Sequence, residues 1–162
     1  MPVCEVQIVN IFVDKDSGTP VVLLRDPESK DVLPILIAPL EASMIAIELE
    51  GQKPVRPLTH DLIINVVKEL AYEVKSVCVT DLRDNIYFAE ITLVCGDRVV
   101  EIDSRPSDAI AVALRAGCSI FVKRKVFALA MGISNVVKSG DREAMKEVLE
   151  DIDIEDVDGK IM

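Results

Sequence analysis

The chain has no tryptophan, and only two tyrosines and four phenylalanines among its 162 residues. So few rings leave no platform on which successive nucleic-acid bases could stack. No apolar run reaches the roughly 20 residues that a bilayer-spanning helix needs. The start, Met1-Pro2-Val3-Cys4-Glu5, lacks the basic stretch and apolar run of a secretory signal. A cytoplasmic protein with no membrane partner is the expectation. Cysteine is sparse: Cys4, Cys78, Cys95 and Cys118 are scattered and form no C-x-x-C pair. That spacing suits neither a zinc site nor a disulfide framework. It predicts reduced, buried cysteines acting as small hydrophobes. There is no Gly-rich phosphate loop and no H-E-x-x-H, and the Ser-His-Asp order of a hydrolase triad does not occur. No organic cofactor is expected.

Positive charge is also short. The chain has 18 Lys and Arg against 28 Asp and Glu, a net of −10. Phosphate backbones reward clustered cations, so this balance argues against a nucleic-acid partner. The acid is unevenly placed, however. Asp141–Asp158 holds nine Asp or Glu against Arg142 and Lys146, a net of −7, so only −3 remains elsewhere. A local basic site such as Lys123-Arg124-Lys125 stays open beside the reading of a solvated face.

What the chain has in quantity is Val, Ile, Leu and Ala. Half of it is hydrophobic and mean hydropathy is +0.33. Disorder requires the opposite balance. Branched side chains favour strands, and runs of them appear at Val3–Val13, Val21–Arg25, Val32–Ile37, Val74–Thr80, Ile86–Cys95 and Arg98–Ile102. Turn clusters separate them at Asp14–Gly18, Asp26–Asp31, Asp84-Asn85 and Gly96-Asp97. Helical spacing follows Pro39 as far as Leu49, with Gly51 as its stop. It returns from about His60 to Tyr72, with Thr59 as N-cap, and from Pro106 to Ala116, ending at Gly117. Ile120–Val122 is short and apolar, and Val126–Met131 reads as a short helix.

The order strand–strand–strand–helix occurs twice. Val6–Ile11 matches Val74–Val79, and Met44–Leu49 matches Ala109–Leu114. The expectation is an α+β fold of two duplicated strand–strand–strand–helix units, with helices packed on an antiparallel or mixed sheet. One domain would occupy residues 1–131. Residues 132–162 would form an acidic helical segment or tail, with Asp141–Leu149 as a helix. Open sheet edges also make a homodimer plausible.

Three polar segments interrupt the apolar chain: Pro39-Leu40-Glu41, Arg56 to Asp61, and Asp103 to Asp108. Each lies at or just before a predicted helix N-terminus, where free N–H groups and the helix dipole favour anions. Arg56 and Arg105, with Ser107, could hold phosphate. Asp103 and Asp108 could hold Mg2+ or Mn2+, which favour carboxylate oxygens and water. His60, the only histidine, could transfer a proton, with Asp61, Asp103 and Asp108 completing a catalytic set for phosphodiester hydrolysis by a metal-activated water. Each residue has a structural reading too. First-turn Asp and Ser are ordinary caps, and the arginines could simply pair with those carboxylates. A non-catalytic, homodimeric binding module is the alternative function.

From about Val3 to Leu129 the sequence resembles the bifunctional-nuclease domain family, formerly a domain of unknown function. The resemblance rests on Leu33-Pro34-Ile35, Glu41-Ala42, Arg56-Pro57-Leu58-Thr59-His60-Asp61-Leu62 and Ile102-Asp103-Ser104-Arg105-Pro106-Ser107-Asp108-Ala109-Ile110-Ala111. It implies nuclease activity on DNA and RNA, as in the plant members. The site residues above come from their chemistry and not from the resemblance.

Overall fold

A computed structural model of the chain describes residues 2–136. Residues Met1–Phe127 form one compact unit, and a second begins at Ala128. The predicted acidic helix at Asp141–Leu149 lies outside the described residues.

Among the described residues, seven strands form one sheet. They are β1 (Val3–Val13), β2 (Pro20–Arg25), β3 (Val32–Leu36), β4 (Glu73–Arg83), β5 (Ile86–Cys95), β6 (Arg98–Ser104) and β7 (Ser119–Lys123). Their order across the sheet is β3-β2-β1-β7-β4-β5-β6. Every pairing is antiparallel except β4 with β7, so the sheet is mixed. The helices are α1 (Pro39–Leu49), α2 (Thr59–Glu69), α3 (Pro106–Ala116) and α4 (Arg124–Val136). Helices packed on a mixed sheet make the fold α+β, and the order β-β-β-α opens each half of the chain.

Local chemistry accounts for most boundaries. Asp84 and Asn85 both take positive φ, at 51° and 62°, the hairpin geometry that joins β4 to β5 without splaying them. Gly117 ends α3 at φ 68°, and the Cys118 N–H closes on the Ala113 carbonyl at 3.2 Å. β3 is a sheet edge, where Pro34 can lack an N–H without breaking a ladder. α2 departs from expectation at both ends. Its N-cap is Leu58, not Thr59, and the missing side-chain acceptor is replaced by Asp61, which reaches back to the Leu58 N–H at 2.8 Å. It stops at Glu69 because Ala71 turns left-handed, at φ 60°. α4 is longer than the predicted Val126–Met131, starting directly after β7.

α3 is the keystone. Ala109, Ile110, Ala111, Val112 and Ala113 are all buried, and α1 and α2 both pack on this helix while it lies on β4 and β5. The core continues through Val22, Leu24, Leu33, Ile35, Ile45, Val77, Val79 and Val122. At about 1.5–3 kcal/mol for each fully buried aliphatic side chain, this burial is the main stabilising term. The four cysteines are free, but only Cys4 is buried; Cys78, Cys95 and Cys118 are half-buried. Among the described residues, no helix is long and apolar enough to cross a membrane.

Candidate functional site

The helix N-termini of α1, α2 and α3 bring four polar side chains into one chain of contacts. Asp108, in the first turn of α3, receives His60 Nε2 on Oδ1 at 2.9 Å. The same carboxylate takes Arg105 Nε on Oδ2 at 2.8 Å and Arg105 Nη2 on Oδ1 at 3.2 Å. Arg105 Nη1 in turn meets Glu41 Oε1, in the first turn of α1, at 3.0 Å. Burial pushes the Asp108 carboxyl up, but hydrogen bonds from Arg105 and His60 outweigh it and hold the group below the usual carboxylate range. An ionised carboxylate only accepts, so Nε2 carries the hydrogen of this bond. In the neutral ring, Nδ1 is then the bare acceptor.

Among the described residues, two atoms of this cluster lack hydrogen-bond partners. His60 is 5% exposed, and its Nδ1 is buried with no hydrogen bond; Glu41 Oε2 is in the same condition. Buried polar atoms are almost always paired, so two orphans in one cluster are notable. Both residues line a cleft of about 560 Å3 walled by α1, α2, α3 and the β4–β6 end of the sheet. Its lining is otherwise mostly apolar, including Met44, Ile63, Val67, Ile91, Leu93 and Ile102. A concave apolar pocket with a few convergent polar groups is the usual form of a ligand site.

The remaining predicted residues are not gathered there. Asp61 faces other partners: Oδ2 takes the Leu58 N–H and Oδ1 takes Arg115 Nε at 2.9 Å. Arg115, 4% exposed at its side chain, also donates to the carbonyls of Ala111 and Met44, tying α1, α2 and α3 together. The geometry of Asp61 is therefore that of a brace. Ser107 is buried and does not line the cleft. Arg56 is exposed on the loop before α2, away from the cluster, with no ion pair among the described residues. Asp103 borders the cleft, but its register partner on β5 is Glu90. Directly paired residues share a face, and Ile102, one step back, pairs with the helix-facing Ile91. The Asp103 side chain therefore stands on the opposite face from Asp108.

This bears on a metal. Among the described residues, no three of His, Cys, Asp and Glu gather into a group that could hold an ion. Asp108 has both oxygens in use, and Asp103 does not converge with it. The donor set does not fit the expected Mg2+ or Mn2+ pair. The basic run is also committed. Arg124 pairs with buried Asp26 at 2.9 Å and Lys125 with Asp81 at 3.1 Å, which leaves little of a free phosphate patch.

Sequence reasoning did not find the Glu41–Arg105 link or Arg115. Glu41 stood out as a first-turn acid, but its partner lies 64 positions away in sequence. Arg115 had one legible signal, a cation in the last turn of a helix.

The chain belongs to the bifunctional nuclease domain family, whose model matches residues 22–134. An uncharacterised protein of Mycobacterium tuberculosis is 40% identical over 147 residues, covering 91% of this chain and 87% of that protein. Bifunctional nuclease 2 of Arabidopsis thaliana is 32% identical over 123 residues, and the rice protein of the same name is 29% identical over 128. The matched stretch is 74% and 76% of this chain but only 37% and 39% of those plant proteins.

Proposed function

We propose that this chain is a cytoplasmic nuclease that hydrolyses phosphodiester bonds of DNA or RNA at the cleft. The observation that carries the reading is the His60–Asp108–Arg105 arrangement: one imidazole held by a carboxylate, its other nitrogen unpartnered, beside a cation. Membership of the family and the names of the plant relatives support it.

In the proposed step, a water oxygen attacks phosphorus and its proton passes to His60 Nδ1. The P–O ester bond breaks, and the leaving oxygen takes a proton from solvent. Asp108 fixes the ring and stabilises the imidazolium that forms. The Arg105 side chain is 63% exposed, so N–H groups not bonded to Glu41 or Asp108 can reach a phosphate oxygen. Nδ1 is closed to solvent in the free chain, so substrate entry must part the cleft wall. No step runs through a metal.

The test is cleavage of single-stranded DNA and RNA by the purified chain, with and without Mg2+ or Mn2+. His60→Ala and Asp108→Asn should each reduce the rate by about 10²-fold or more, the usual share of a general base. Cleavage that both substitutions leave unchanged would sink the proposal.

A second reading, a non-catalytic homodimeric binding module, has its own observation. α2 exposes Leu62 and Val66, with exposed Leu70 just after it, and β6 is an open sheet edge carrying exposed Val99. Such surfaces commonly mark association. A monomer by light scattering at micromolar concentration would remove that support.

A further inference from the structure

We infer that the cleft holds a nucleobase carrying an amino group, with Glu41 Oε2 as the acceptor that selects it; this rests on the nuclease reading. Among the described residues, the Glu41 carboxylate has one polar partner, Arg105, on Oε1. Its other oxygen is buried with no donor within reach among the described residues. A buried carboxylate oxygen left unpaired is costly, so a ligand that brings an N–H to it gains what the free chain lacks. The local charge points the same way. Glu41 and Asp108 flank the single cation Arg105, so with a neutral imidazole the cluster is net negative. An anionic group is disfavoured beside Oε2, and an N–H donor is favoured.

The rest of the cleft suits a flat ring. Met44, Ile63, Ile91 and Ile102 offer aliphatic surface, and apolar side chains can sandwich an extruded base where aromatic ones are absent. The volume, about 560 Å3, accommodates a base with its sugar. The phosphate would then extend toward the exposed side of Arg105. Adenine, cytosine and guanine carry an exocyclic amine that can donate to Oε2. Uracil and thymine place a carbonyl oxygen on each side of N3–H, and those lone pairs would face the carboxylate. Glu41 is thus a specificity residue, and amino-bearing bases are its substrates.

The experiment titrates the full chain, labelled at Ile and Met methyl groups, with AMP, CMP, GMP and UMP and follows the methyl NMR signals. The expected result is movement of the Met44, Ile63 and Ile102 methyls, with the three amino nucleotides binding roughly tenfold or more tighter than UMP. Glu41→Ala should remove the preference. Glu41→Gln, whose amide can present its NH2 to a carbonyl, should narrow it and serves if the alanine variant fails to fold. Equal binding of UMP, a preference that survives Glu41→Ala, or no binding at these methyls overturns the inference. Cleavage that depends on His60 without base preference sinks the base site alone. Selective binding without any cleavage sinks the nuclease reading and leaves the base site standing.

Discussion

Arg115 offers a way to separate what holds the cleft together from what works inside it. Its side chain is 4% exposed and makes three bonds: to Asp61 Oδ1 at 2.9 Å, to the Ala111 carbonyl at 3.0 Å and to the Met44 carbonyl at 3.1 Å. Arg115→Met keeps the apolar stem and removes all three donors. Deleting one partner of a buried ion pair costs about 3–5 kcal/mol, because the other charge is stranded. Here Asp61 is 27% exposed and retains the Leu58 N–H, so water and that bond recover part of the loss. The expected cost is about 2–3 kcal/mol. Native domains have about 5–15 kcal/mol to lose, so the variant should still fold. Its melting temperature should fall by about 5–10 °C. Urea unfolding followed by circular dichroism should show a lower midpoint with an unchanged slope. In a double-mutant cycle, Asp61→Asn and Arg115→Met should be coupled by about 1–2 kcal/mol. At a temperature where it is folded, Asp61→Asn should keep cleavage within about threefold of the unaltered chain, unlike Asp108→Asn. A loss below about 0.5 kcal/mol for Arg115→Met, or additive single losses, would refute the brace.

Further expectations follow from the same structure. Asp26 and Asp108 are both held below the ordinary carboxylate range, Asp26 first by the Glu28 N–H and Asp108 by Arg105 and His60 against its burial. A depressed folded pKa gives stability that is present above the unfolded value near about 3.9 and lost as pH falls through the folded one. Urea midpoints should therefore drop steeply below about pH 4, and Asp108→Asn should flatten that drop. Burial pushes the Cys78 thiol up to about 11. Its thiolate fraction at pH 8 is then about one in a thousand, and mass spectrometry should find it alkylated by iodoacetamide far more slowly than in urea. Ala71 occupies a left-handed position after α2, at φ 60°. Ala71→Gly should raise stability by about 0.5–1 kcal/mol, read as a higher urea midpoint.

Much of this protein was legible in the chain itself, where local chemistry decides the outcome. α3 begins at Pro106 and ends at Ala116 before Gly117, because a proline fits a first turn and a glycine fits a left-handed stop. Asp84-Asn85 closes a hairpin for the same kind of reason. Runs of branched side chains between turn clusters mark the strands, and proline and glycine bound the helices, so the α+β class and the chain order of elements could be read directly. Tertiary structure decided the placing of β7 between β1 and β4, since a five-residue apolar strand carries no mark of its neighbours. It also decided the site. Asp61 and Asp108 occupy the same place, the third residue of a helix, and share the same sequence signal. One meets Arg115 and braces three helices; the other meets His60 and Arg105 at the edge of a cleft. A carboxylate's chemistry is set by what lies within about 4 Å of it, and the neighbours that tell these two apart, His60 for Asp108 and Arg115 for Asp61, lie 48 and 54 positions distant and are brought close by the packing of α2 on α3.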